Sequence, residues 1–148
     1  MKILIQKVEK AKLYIEEEFK DEILSGYVIF LGIEKKDDKK LESIINNIVK
    51  LKIGEDAQNH FKFSILENKP EIMIIANITI ASKFNKYKPE FNMLPNKDEA
   101  KNIYEKIKLL FNNLHKENII SKLVYGDFGS NMKVDCIISG PVNFYLDL

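Results

Sequence analysis

The sequence has 148 residues, 45% of them hydrophobic and 30% charged, with 23 Lys and Arg against 22 Asp and Glu for a net charge of +1. A chain of this length suits one compact domain, residues 1–148, with a core large enough to fold without disulfides or metal. Balanced charge argues against a protein that grips a long nucleic-acid duplex, where many phosphates need neutralising, but not against one that touches only its end.

Ile3 and Ile5 alternate with polar neighbours, which predicts a strand with one buried face. Lys12 to Glu16 reads as a second strand, followed by a charged turn over Glu17 to Asp21. Tyr27 to Ile33 is a continuous apolar run, expected of a strand covered on both faces. Asp37 and Asp38 are suited to cap a helix whose apolar stripe is Leu41, Ile44, Ile45, Ile48 and Val49. A polar loop and a short strand, Phe61 to Leu66, come next, and Asn68-Lys69-Pro70 breaks that strand. Glu71 to Ala81 is a long β-rich stretch, and Ser82 to Pro95 an irregular loop. Asn96 caps a second helix with the stripe Ala100, Ile103, Tyr104, Ile107, Leu110, Phe111 and Leu114. Three last strands are expected at Leu123 to Phe128, Met132 to Ile138 and Val142 to Asp147, punctuated by Gly126, Gly129 and Gly140. Strands outnumber helices about three to one, so the expectation is an α+β domain: curved, partly barrel-like antiparallel or mixed sheets with two packed helices.

Much familiar chemistry is missing. Cys136 is the only cysteine, so no intrachain disulfide forms, a reducing compartment is expected, and its place in an apolar strand makes it an inert core thiol. His60 and His115 are too few and too far apart in sequence to build a recognisable zinc site with it. His115, near the end of the second helix, suits the negative end of the helix dipole. There is no G-x-S-x-G elbow, no P-loop and no dinucleotide fingerprint. The first ten residues are neither a signal peptide nor a membrane anchor, and no apolar run reaches the ~20 residues that span a bilayer. A cytoplasmic protein is expected, with no cofactor or metal. Any catalysis must rest on backbone groups, hydroxyls and the substrate itself.

Four segments, in order and spacing, resemble the D-aminoacyl-tRNA deacylases. Ile5-Gln6-Lys7-Val8 stands for that family's I/V-Q-R-V strand, and Phe30-Leu31-Gly32-Ile33 followed by Lys35-Lys36-Asp37-Asp38 for its third strand and helix start. Ala76-Asn77-Ile78-Thr79-Ile80 stands where the family has S-Q-F-T-L, and Lys88-Pro89-Glu90-Phe91 where it has R-P-S-F. Ser139-Gly140-Pro141-Val142-Asn143 stands for N-x-G-P-V-T, and Gly126-Asp127-Phe128-Gly129-Ser130-Asn131-Met132 upstream resembles G-x-F-G-A-x-M. The chain departs from these patterns at Ala76, Asn77, Ile78, Ile138, Ser139 and Asn143 and keeps Thr79, Gly140, Pro141 and Val142.

The resemblance implies a homodimer, with no other protein partner, that hydrolyses the ester between a D-amino acid, or glycine, and the terminal ribose of tRNA. It implies a cis Gly140-Pro141 peptide that enters the partner subunit's pocket and excludes L-amino acids with its backbone. Asn77, Ile78 and Thr79 are the implied catalytic segment: backbone N–H groups of Asn77 and Ile78 facing the ester carbonyl, Thr79 as a candidate nucleophile, and the tRNA 2′-hydroxyl as the main assistant. Phe128, Gly129 and Met132 would sit near the terminal adenosine. The basic loop Lys83, Lys86, Tyr87 and Lys88 is a candidate contact for acceptor phosphates, Lys86 and Lys88 foremost. The alternative is a catalytically weak or silent dimer that binds RNA ends or a small molecule.

Overall fold

The structure, a computed structural model, describes residues 1–148. Its first strand, β1 (Lys2–Ile15), is one continuous element rather than two. Its pairing with the last strand slips between Gln6 and Val8 and again between Val8 and Lys10. The first slip is a bulge in the last strand, and the second puts one extra residue into β1, so Ala11 and Leu13 join Val8 on the face opposite to the one that carries Ile3 and Ile5. The broken alternation is what reads, in sequence, as two strands. Glu16 and Glu17 then turn the chain with positive φ of 49° and 67°, the conformation a tight two-residue hairpin requires. β2 (Glu18–Ile23) therefore begins inside the stretch expected to be a turn.

β1 pairs antiparallel with β2 and with β3 (Gly26–Gly32) along one side. β3 pairs in parallel with β6 (Glu71–Ala76), and β6 in parallel with β9 (Lys122–Tyr125). β10 (Met132–Asp147) runs antiparallel along the whole other side of β1, giving the order β10-β1-β3-β6-β9. The sheet curls until Lys122 on β9 reaches the Asp21 carboxylate (2.9 Å) and the Glu22 carbonyl (2.6 Å) of β2, forming a nearly closed barrel. The mixed, barrel-like sheet of the sequence reading is thus present.

Each parallel pair needs a crossover. The first carries α1 (Leu41–Lys50), the hairpin β4 (Lys52–Glu55) and β5 (Phe61–Ser64), and the single turn α2 (Ile65–Asn68). The second carries a 3-10 turn (Ile78–Ala81), the hairpin β7 (Lys83–Asn85) and β8 (Lys88–Glu90), and α3 (Lys97–Lys116). α1 buries the five stripe residues expected of it, and α3 buries Ala100, Ile103, Tyr104, Ile107 and Phe111. α3 opens on a capping box between Asn96 and Glu99 and closes on His115, whose Nδ1 lies 2.7 Å from the Ile120 carbonyl. The helices pack on the face of the sheet that carries Ile3, Ile5, Ile29, Leu31, Ile72 and Ile74. The concave face closes on Val8, Leu13, Val28, Met73, Ile75 and Val124. β3 and β6 are buried on both faces, as their unbroken apolar runs require. No helix is long and apolar enough to cross a membrane.

Several local expectations change. Asp37 and Asp38 do not cap α1: they form a 3-10 turn, and Asp37 is buried, accepting from the Met1 ammonium (3.0 Å) and the Glu34 N–H (2.7 Å). The helices number three, because Ser64-Ile65-Leu66-Glu67 is itself a capping box that ends the strand at Ser64. The expected β-rich run stops at Ala76 and continues as the 3-10 turn, so Thr79 is not a strand residue. The loop after it contains a two-stranded hairpin. The last two expected strands are one, β10, with Gly140-Pro141 inside it.

Candidate active site

Three parallel strands end side by side, and the largest cleft opens at their carboxyl ends. It measures about 830 Å³. β3 contributes Phe30, Leu31 and the following Ile33; β6 contributes Ile75, Ala76 and the turn residues Asn77, Ile78 and Thr79. The segment after β9 supplies Phe128, Gly129, Ser130 and Asn131, and β10 adds Met132 and Val134. Leu94, Pro95, Lys97 and Ala100, before and within the first turns of α3, complete the lining. Two segments about fifty residues apart in sequence, both singled out in the sequence, are therefore brought face to face.

The backbone at Asn77 sets the geometry. Its N–H donates to the Leu31 carbonyl (2.8 Å), extending the β3–β6 ladder one step past Ala76. Its side-chain Oδ1 then accepts from the Thr79 N–H (3.0 Å) and the Thr79 hydroxyl (2.6 Å), capping the 3-10 turn. This corrects one expectation: the Asn77 N–H is committed to the sheet and the Thr79 N–H to the cap. The remaining donor is the N–H of Ile78, first residue of the turn, which has no acceptor within it. The Thr79 hydroxyl donates its hydrogen bond to the Asn77 amide oxygen, which has no capacity to act as a base.

Across the cleft, Phe128 packs against the ring of Tyr104 at 5.8 Å between centroids. The Tyr104 hydroxyl, fully buried, lies 3.0 Å from both the Ile74 and Gly126 carbonyls, tying the end of β6 to the start of the Phe128 segment. A Cβ on Gly126 would lie 2.7 Å from Met132 Sδ and 3.0 Å from Ile75 Cδ1, so any larger residue there would push the ends of two side chains that line the cleft. Asn131 is held by Glu16 twice: Glu16 N–H to Asn131 O at 3.0 Å, and Asn131 N–H to Glu16 Oε1 at 2.8 Å.

Lys97 is the one charged residue lining the cleft, and sequence reasoning passed it over. Its Nζ lies 3.8 Å from where a Cβ on Gly129 would stand. A cation directly after a helix N-cap opposes the helix dipole, and that mismatch was the legible signal. No carboxylate, imidazole or thiol lines the cleft. Cys136 lies outside it, and burial pushes its thiol up from the ordinary value.

The other expected site residues lie elsewhere. Gly140-Pro141 is cis, and Gly140 has φ of +108°. The pair sits in a bulge of β10 where residues 139–142 stand opposite Lys7 alone, on the outer edge of the sheet and outside this chain's own cleft. Lys86, at positive φ in the β7–β8 turn, and Lys88 on β8 line no part of the cleft either. That hairpin is rooted between the Ile78–Ala81 turn and the Leu94-Pro95 segment that do line it.

Residues 4–147 match the family described as D-Tyr-tRNA(Tyr) deacylase. A D-aminoacyl-tRNA deacylase of Thermodesulfovibrio yellowstonii is 36% identical over 146 residues, covering 97% of each chain. One of Saccharomyces cerevisiae is 32% identical over 151 residues, covering 99% of this chain and 98% of its own. Among solved structures, a c-Myc DNA unwinding element binding protein superposes with a TM-score of 0.88 at 27% identity, covering 100% of this chain and 99% of its own. A match that spans nearly every residue, including both segments that meet across the cleft, places this chain in the D-Tyr-tRNA(Tyr) deacylase family.

Proposed function

We propose that the protein hydrolyses the ester between a D-amino acid, or glycine, and the terminal ribose of tRNA. In this reading it acts as a homodimer, with the Gly140-Pro141 bulge of one subunit entering the cleft of the other. The observation that carries the reading is the chemistry of the cleft: mostly apolar, with the ring of Phe128, a single cation and no acid or base. An aminoacyl ester is already activated, so its cleavage needs positioning and an oxyanion donor more than a protein base. The Ile78 N–H is that donor, Phe128, Gly129 and Met132 receive the adenosine, and the tRNA 2′-hydroxyl assists the attack. Thr79, with its hydroxyl turned to Asn77, orders the turn rather than attacking.

Chirality is read by backbone. Gly140 has no Cβ, so its main chain can approach a substrate amino group closely, and an L side chain would meet that wall. β10 supports the dimer: it is the outer strand of the sheet, and Ile137, Ile138 and Tyr145 on it are 58%, 40% and 59% exposed. A long apolar edge of this kind is normally covered in a soluble protein.

The test is to incubate the protein with D-tyrosyl-tRNA, D-aspartyl-tRNA, glycyl-tRNA and an L-tyrosyl control. Release from the D- and glycyl-substrates alone is expected. No release above the spontaneous rate from any of them would sink the reading and leave a silent RNA-end binding protein.

A further inference from the structure

The cleft does not end at Lys97. Pro95 is shared with a neighbouring groove of about 480 Å³ lined by Lys35, Lys36, Asp38, Glu99, Asn102, Ile103 and Lys106. Asp38 and Lys106 are shared in turn with a third depression that holds Lys39, Lys40 and Glu42. The three form one path from the cleft along α3. From Lys97 to Lys106 the helix rises about 13.5 Å, the rise of about four stacked nucleotides.

The charge along this path is uneven. Six lysines face three carboxylates, in a molecule whose whole net charge is +1. Asp38 is already paired with Lys106 at 2.6 Å, and Glu99 accepts from the Asn96 N–H in the capping box. Lys35, Lys36, Lys39, Lys40 and Lys97 form no ion pair, so their charge along the path is uncompensated; Lys35 Nζ donates only to the Asn92 carbonyl (3.0 Å). Only one of the eight groove residues is hydrophobic, so the groove suits a solvated polyanion rather than an apolar ligand. Lys36 also holds a left-handed backbone, φ 76°, where Gly or Asn would sit with less strain.

We propose that this groove binds the sugar–phosphate backbone at the acceptor end of an RNA whose terminal nucleoside occupies the cleft. Lys97 takes the first phosphate, Lys35 and Lys36 the next, and Lys39 and Lys40 those beyond. The inference rests on reading the cleft as an aminoacyl-tRNA ester site, but it makes a prediction about binding alone. Phosphate contacts position an RNA without reading its sequence, so the groove explains how many different tRNAs are held in one register.

The experiment measures the Kd of uncharged tRNA across a salt series for Lys36→Gln, Lys39→Gln, Lys40→Gln and the triple variant, with Lys116→Gln at the far end of α3 as control. All four lysines are exposed, so melting temperatures should match the wild type. Each groove substitution is expected to lower the slope of log Kd against log salt by about one, and the triple variant by about three, with the control unchanged. Unchanged slopes in the groove variants, or a fall only in Lys86→Gln and Lys88→Gln on the hairpin, would overturn the proposal. Uncharged tRNA requires no hydrolysis. Groove-dependent binding by a protein that releases no amino acid would therefore uphold the groove and sink the proposed activity instead.

Discussion

Tyr104→Phe isolates one hydroxyl that ties the core to the cleft. The ring is fully buried and Phe fills the same space, so no cavity opens. The lost hydroxyl lies 3.0 Å from the Ile74 and Gly126 carbonyls. Ile74 O keeps a second donor, the Gly126 N–H at 2.8 Å, whereas no other donor reaches the Gly126 carbonyl through a loop or side-chain bond. Leaving one buried acceptor unpaired costs about 1–3 kcal/mol. In a chain of this size, 2 kcal/mol corresponds to a fall in melting temperature of about 4–8 °C. The same bond fixes the start of the segment that carries Phe128, so catalysis should suffer beyond stability. If about 1.4 kcal/mol of positioning is lost in the transition state, kcat/KM falls about tenfold. Differential scanning fluorimetry and deacylation of D-tyrosyl-tRNA read the two effects. A variant with the wild-type melting temperature and kcat/KM would refute the claim that this phenol organises the cleft.

Three further outcomes are expected. Thr79→Ala removes a hydroxyl that donates to Asn77; it should lower kcat less than about tenfold through a looser turn, and complete loss would mark Thr79 as the nucleophile. Gly140→Ala places a Cβ 2.6 Å from Val142 Cγ2 at a φ of +108°, so the ratio of D- to L-tyrosyl-tRNA hydrolysis should fall, and an unchanged ratio would count against a backbone wall. Burial, helped by the Glu55 carboxylate, pushes the Tyr27 hydroxyl up from 10.0 to about 12. The unfolded chain then loses this proton first, so its contribution is intact below pH 10 and disappears as pH rises from 10 towards 12, a loss of about 2–3 kcal/mol. Urea midpoints measured across that window should fall less steeply in Tyr27→Phe than in the wild type.

The helices were legible because their chemistry is local. The stripe from Leu41 to Val49 and the Asn96–Glu99 box each specify a helix without reference to the rest of the chain. The apolar runs of β3 and β6 likewise announced burial on both faces. What escaped depends on backbone states and partners that no short window displays. Glu16 and Glu17 accept left-handed φ values that their side chains disfavour, which hid the first hairpin. The bulge between Val8 and Lys10 disguised one strand as two. Thr79 alternates with Asn77 as in a strand, yet the Asn77 side chain bends the backbone into a turn. In the site, Asn77 to Thr79 and Phe128 to Met132 were singled out through a family resemblance, and only the fold sets them across one cleft. Lys97 and the lysines beyond it lie outside those motifs, so only the path of connected depressions reveals them.

The central claim is that this cleft, with no acid or base of its own, positions an activated ester and lets the tRNA supply the assisting hydroxyl. The most direct measurement is the single-turnover hydrolysis of D-tyrosyl-tRNA esterified at the 3′ position, with a terminal adenosine that carries or lacks the 2′-hydroxyl. The deoxy substrate should bind with similar affinity and be cleaved only at the spontaneous rate. Equal enzymatic rates on the two substrates would contradict the claim, and would return the search to a protein group such as Thr79.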